Sequence, residues 1–187
     1  AMDRAEELRE KWGTQLGQVW EIGRHRVLCA DCTATPFAVE ADMAWVDPPY
    51  GVNYVGKTDD ELTLVNDRLS ESELAELWKT AFCNIAAYVK GDLYVAAPAG
   101  PPLRLMDNIM EEIPWERHQW LVWVKDRFVL GRSNYHYRHE QIWYGWHRGG
   151  ISSWQVGRDK DSVFEVERPS RSAEHPTMKP VDLVAQM

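Results

Sequence analysis

Apolar residues fall along this chain in two distinct rhythms, and the change from one to the other marks the elements. Behind Ser70-Glu71-Ser72-Glu73, which has capping-box spacing, Leu74, Leu77, Trp78, Ala81, Phe82 and Ile85 recur at three- and four-residue intervals, predicting an amphipathic helix. Pro101-Pro102 opens a second helix with Leu103, Met106, Ile109 and Met110 inward. Asp3 to Trp12 reads as a short charged helix, and Pro180 starts a final one. Short runs predict strands at Met43–Val46, Asp92–Ala97, His118–Val124, Gln141–Trp146 and Ser162–Val166. Gln18 to Ile22, a turn at Gly23-Arg24, and His25 to Cys29 predict a hairpin, with alternation on its first strand. Gly51 to Asp67 is polar and reads as a mobile loop. Strands alternating with helices predict an α/β fold with a Rossmann-like, mixed and mostly parallel sheet.

Composition changes this picture little. The 187 residues suffice for one well-buried core. No apolar segment reaches the ~20 residues that span a bilayer, and Ala1 to Lys11 holds no signal-peptide apolar region. Three cysteines argue against a disulfide framework and for a reducing compartment. Cys29-Ala30-Asp31-Cys32 has C-x-x-C spacing without a second pair, so both cysteines read as structural. The net charge of −8 opposes a nucleic-acid reader, yet Arg117 to Arg148 gathers Lys125, Arg127, Arg132, Arg138 and several histidines into a local basic stretch. Most of the ten tryptophans read as packing.

The chemistry concentrates at Asp47-Pro48-Pro49-Tyr50, directly after the strand Met43–Val46. Proline ends a strand abruptly, and in an open α/β sheet the carboxyl end of a strand is where ligands bind. A carboxylate, a rigid turn and an aromatic ring therefore stand together at a candidate active-site rim. An exocyclic amine on a base is a poor nucleophile, because its lone pair is delocalised into the ring. Asp47 and the Pro48 carbonyl can accept its protons and complement the positive charge that develops on it. Tyr50 supplies a stacking face for a base lifted out of its duplex. The cluster Tyr135 to Glu140 also invites a metal reading through His136, His139 and Glu140. Arg138 between those ligands and the strand that follows argue against it.

Three blocks in order resemble the beta class of amino-methylating DNA methyltransferases. They are Arg26–Cys32 running on to Asp47–Gly51; Trp123–Lys125 through Tyr135–Glu140 to Trp143–Gly145; and His175-Pro176-Thr177-Met178-Lys179-Pro180. The resemblance implies a Rossmann-like methyltransferase fold, with a helix and hairpin strand over residues 1–23 and a partial catalytic domain over 24–187. A loop-rich insert would occupy about 147–174. It implies S-adenosylmethionine as cofactor, and double-stranded DNA with a flipped base as partner. The setting implied is DNA methylation of the restriction-modification kind in a bacterial or phage-encoded cytoplasmic enzyme. Asp47, Pro48, Pro49 and Tyr50 take the catalytic positions. Asp31, Asp47, His175, Thr177 and Lys179 take the donor side. Tyr50, Lys125, Arg132, Tyr135 and His139 take the target-base side. Aspartate in the first position of the tetrapeptide favours adenine over cytosine-N4. A non-catalytic DNA-binding or assembly module, or a methylase of RNA or another planar amide, remains an open alternative.

One family feature is missing from these residues. The Phe-x-Gly-x-Gly turn that binds the donor would follow the Lys179 block on a further strand, and no Gly-x-Gly occurs anywhere in the sequence. The resemblance places that strand and the next between the Asp31 strand and the Asp47 strand. The expectation is an incomplete sheet in which the Asp31 strand either closes on its neighbour or stands apart. The uncovered edge would then pair two copies as a homodimer, and this fragment would have little activity alone.

Overall fold

The computed structural model describes residues 2–34, 39–51, 69–128, 130, 134–169 and 177–187. The chain opens with α1 (Met2–Trp12) and an antiparallel hairpin of β1 (Val19–Ile22) and β2 (His25–Leu28). The alternation in β1 predicted one buried face, and the structure corrects this: all four residues are exposed. The reason is that the hairpin forms a two-stranded sheet of its own and never joins the main one. The Asp31 strand has not closed on its neighbour; it stands apart.

The remaining elements follow as β3 (Ala41–Val46), α2 (Glu71–Ala86), β4 (Val89–Ala97), α3 (Pro101–Glu112), β5 (Trp115–Val124), β6 (His139–His147), β7 (Val163–Glu165) and α4 (Val181–Val184). The expected capping box is present, with Glu73 N donating to Ser70 Oγ at 3.3 Å and Ser70 N to the Glu73 carboxylate at 2.8 Å. The strands form one mixed sheet in the order β3-β4-β6-β5-β7, a Rossmann-like arrangement. Its ladders divide evenly, β3/β4 and β5/β7 parallel, β4/β6 and β5/β6 antiparallel. The insert expected at 147–174 supplies β7 and so extends the sheet. Its start is fastened to β4 where buried Asp92 accepts from Ser152 Oγ and Ser153 Oγ, each at 3.1 Å.

Period-two alternation puts one core on each face of the sheet. Leu93, Val95 and Trp143 face α2 and α3, packing with Trp78, Phe82, Met106 and Trp115. Tyr94, Ile142 and Tyr144 face the other way, with Leu121, Trp123 and Leu183 of α4. Trp78, Trp115 and Trp143 are fully buried, as the packing role predicted. Beside β3, Gly91 admits no side chain, since a Cβ there would lie 2.1 Å from the Asp42 carbonyl oxygen. Cys32 and Cys83 are exposed and Cys29 partly so, so none of the three fills the core. The Gly51–Asp67 loop falls, from residue 52 on, outside the described residues. Among the described residues, no helix is long and apolar enough to cross a membrane.

Candidate functional site

Five strands point at one end of the sheet in a way the sequence could not display. The carboxyl ends of β3, β4, β5 and β7 and the start of β6 all lie there, because β6 runs antiparallel to the others. Asp47-Pro48-Pro49-Tyr50 leaves β3 at this end. It is pinned to α2 by Trp78, whose indole Nε1 donates to the Pro49 carbonyl at 3.0 Å. Gly51 then turns away at φ +66°, and any Cβ there would strike Leu74 Cδ2 at 2.6 Å.

Two other side chains, Lys179 and Glu140, reach the tetrapeptide, and Lys125 and Trp123 brace them from behind. Lys179, immediately before Pro180 and α4, is placed by its helix: Leu183 is buried in the core of that face. Its ammonium donates to both Asp47 oxygens, at 2.9 and 3.0 Å, and sits 5.1 Å from the centroid of the Tyr50 ring. Glu140, the second residue of β6, lies 3.5 Å from the same ammonium through Oε2. Its other oxygen, Oε1, accepts from Lys125 Nζ at 2.6 Å. Lys125 in turn lies 5.1 Å from the centroid of the Trp123 ring, and Trp123 is braced by its own Nε1 donating to the Val166 carbonyl at 2.7 Å. Two acids and two ammonium groups thus alternate in a chain, Asp47–Lys179–Glu140–Lys125. Both lysine side chains are only 8 % exposed, so each charge depends on its partner.

Among the described residues, two polar atoms in this cluster are buried without a hydrogen-bond partner, the Tyr50 hydroxyl and Glu140 Oε2. The hydroxyl lies beside Glu140 and Asp47 with no well-formed bond to either. Burial, and then the negative charges of Glu140 and Asp47, push its pKa well above that of an ordinary tyrosine. Tyr50 is therefore a neutral phenol at physiological pH, its hydroxyl end buried beside the two carboxylates.

The expected residues divide into three groups. Asp47, Pro48, Pro49, Tyr50, Lys125 and Lys179 lie together at the cluster or next to it. Asp31 does not join them: it lies beyond the separate hairpin, exposed, where its Oδ1 accepts from Thr33 N at 2.8 Å and Thr33 Oγ1 at 2.7 Å. Those bonds hold its pKa below the usual carboxylate value. Its loop is tied to α2, since Asn84 Nδ2 donates to the carbonyls of Cys32 and Thr33 at 2.9 and 3.0 Å. Tyr135 is almost wholly exposed, and the His139 ring packs edge-on to Tyr137 at 6.0 Å. Thr177 lies two residues before Lys179 and is partly buried. His175 and Arg132 lie outside the described residues.

The basic stretch contributes less surface charge than its composition promised. Lys125 is buried in its ion pair, Arg117 pairs with Asp107, and Arg148 donates to the Glu111 carbonyl at 3.1 Å. Glu140, considered in the sequence only as a metal ligand, is the residue the reading missed as part of this cluster. Hairpin register offers the signal: Trp123 opposes Glu140 and Lys125 N bonds to the Arg138 carbonyl, so Lys125 and Glu140 are diagonal neighbours on one face.

No family model matches this chain, and no curated protein matches it. Among solved structures, a crystal structure of an M1.HpyAVI–SAM complex superposes with a TM-score of 0.53 at 16 % identity. The match covers 78 % of this chain and 63 % of that one. A second crystal structure of M1.HpyAVI matches 67 % of this chain and 56 % of that one, at 14 % identity and a TM-score of 0.44. At that identity the first likeness establishes the fold, a Rossmann-like methyltransferase fold.

Proposed function

We propose that this chain carries the base-side half of a DNA methyltransferase that transfers a methyl group from S-adenosylmethionine to the exocyclic amine of adenine. The observation that carries the reading is Asp47-Pro48-Pro49-Tyr50 at the carboxyl end of β3, inside this fold, with the tyrosine hydroxyl buried beside two carboxylates. The fold it shares with a protein crystallised with SAM, and the three sequence blocks, support the same reading. The chain spans 63 % of that neighbour, so the activity proposed belongs to the protein of which these residues are part.

The arrangement suits an amine in three ways. Asp47 and the Pro48 carbonyl accept its two protons, turning the nitrogen toward a tetrahedral, more nucleophilic geometry. The Tyr50 ring offers a stacking face worth ~1–3 kcal/mol, offsetting part of the few kcal/mol spent unstacking a base. The neutral phenol adds no charge against the base. The residues that would meet the donor are Asp47, Thr177 and Lys179, with His175 by resemblance. The donor half itself does not fit these residues alone. Asp31 lies just beyond the separate hairpin, and no glycine turn is present in the sequence. S-adenosylmethionine would supply the electrophilic methyl; these residues hold and orient the amine that receives it. Aspartate in the first position supports adenine over cytosine.

The test compares duplexes carrying an adenine or a cytosine opposite an abasic site, with tritiated S-adenosylmethionine as donor and the protein at its natural length. Label transferred to adenine and lost in Asp47→Ala supports the reading. Transfer to cytosine instead would move the target, and transfer unaffected by Asp47→Ala would overturn the assignment of the site.

A further inference from the structure

The Lys179 ammonium stands where the proposed reaction needs the target amine. It is within hydrogen-bond distance of both Asp47 oxygens and lies over the Tyr50 face on which the base would stack. An entering amine therefore cannot reach Asp47 until this cation moves, and a charged group only 8 % exposed cannot move to just any place. Among the described residues the structure shows one destination. Glu140 Oε2 lies 3.5 Å from Lys179 Nζ, is buried, and has no hydrogen-bond partner. A short movement would close that gap to the ~2.7–2.9 Å of a charge-assisted bond. Glu140 cannot come to meet it, because Oε1 is held at 2.6 Å by Lys125, itself buried against Trp123.

We propose that Lys179 is a resident stand-in for the target amine, and that Glu140 is the positioning residue that receives it when the amine enters. The proposal rests on the amine-acceptor role of Asp47 given above. In the resting site Lys179 neutralises Asp47 and covers the Tyr50 face. On base entry its ammonium leaves Asp47 for Glu140 Oε2, giving that oxygen the hydrogen bond it lacks and freeing Asp47 to accept one amine proton while the Pro48 carbonyl accepts the other. No covalent bond is made or broken in the step: the ammonium gives up its hydrogen bonds to Asp47 for one to Glu140, and the cluster keeps its charge balance throughout. The fixed Lys125–Glu140 pair provides the stationary end of the exchange.

The hand-off predicts a pattern of variant effects that a packing role for the same residues would not produce. The probe is a labelled duplex with adenine opposite an abasic site, and the reference is the same duplex with no base at that position. The quantity measured by anisotropy is the preference for the adenine-bearing duplex. Lys179→Met removes the occupant and should raise that preference roughly ten-fold, the worth of one charge-assisted bond that entry no longer has to break. Glu140→Gln removes the destination and should lower it by a similar factor. The double variant should return to the level of Lys179→Met, because nothing remains to be relocated. Lys179→Gln repeats the first arm if the Met variant folds poorly. A lower preference in Lys179→Met or Lys179→Gln would overturn the hand-off and make Lys179 a direct contact to the base. Additive effects in the double variant would also overturn it. No adenine preference in the wild type and in Lys179→Met together would remove the amine-acceptor reading itself, a result distinct from either.

Discussion

Replacing Lys125 by methionine should test how far the site depends on its buried charges. The substitution keeps the aliphatic stem and removes the ammonium that bonds Glu140 Oε1 at 2.6 Å. Side-chain exposure is 8 % for Lys125 and 19 % for Glu140, so the carboxylate left behind is largely shut from water. Breaking one partner out of a buried pair costs ~3–5 kcal/mol where no other charge remains nearby. Here Lys179 remains 3.5 Å from the other Glu140 oxygen, and Glu140 keeps some solvent, which reduces the figure. The lost contact with Trp123 adds back ~0.5–1 kcal/mol. We therefore expect a loss of about 2–3 kcal/mol in equilibrium urea unfolding, read by tryptophan fluorescence as a lower midpoint at unchanged slope. Lys125→Met with Glu140→Gln removes the stranded charge and should recover part of the loss. A single variant that loses less than ~1 kcal/mol would place this pair among surface ion pairs and refute the argument. So would a double variant whose loss equals the sum of the singles.

In the protein at its natural length, Asp47→Ala should lower methyl transfer ~100–1,000-fold while largely sparing DNA binding, measured by turnover against anisotropy. Tyr50→Ala should weaken capture of an extrahelical base, whereas Tyr50→Phe keeps the ring face and should retain most turnover. Because burial and the neighbouring carboxylates raise the Tyr50 pKa in the folded state, its contribution to stability is full below pH ~10 and lost as pH climbs further. Tyr50→Phe should therefore soften the alkaline loss of stability in melts above pH 10, leaving the shares from Tyr94 and Tyr144, which burial also raises. The 187-residue chain, with β3 paired on one side only and no glycine turn, should show no thermal shift with millimolar S-adenosylmethionine and should self-associate. A monodisperse monomer whose melting point rises with the donor would contradict that expectation.

The parts of the fold that were legible in the sequence are those written in local periodicity. The Leu74–Ile85 stripe and the Ser70 capping box specify α2 by themselves, and the two prolines fix where β3 ends. Strand starts were set two to three residues late wherever a local irregularity hides the rhythm. Lys90-Gly91 interrupts β4, and a register shift between Arg117 and Gln119 disguises the beginning of β5. The isolation of the hairpin was beyond local reading, since Trp20, Ile22 and Val27 share what looks like one face of a packed strand pair and yet Ile22 and Val27 are more than half exposed. The site shows the same division. Asp47 and Tyr50 announce themselves in four consecutive residues. Glu140 becomes visible only once the register of β5 on β6 is known, and the pairing of Lys179, read as a donor-side residue, with Asp47 appears only once α4 delivers it there.

That delivery joins residues 132 apart in the chain, the longest reach of any contact in the cluster. Closing so wide a loop is entropically harder than forming a hairpin, with each doubling in length adding ~0.6 kcal/mol. The strands that frame the cluster come from nearer neighbours: β5 and β6 form a hairpin, and β4 pairs with β6 before residue 148 is needed. On a ribosome, the sheet can therefore assemble while Asp47 still lacks the Lys179 ammonium, which arrives only when the segment carrying Lys179 emerges and Leu183 docks. Sheet formation and site completion are separate kinetic events. A refolding experiment that follows the buried tryptophans should finish ahead of one that follows a reporter on Lys179.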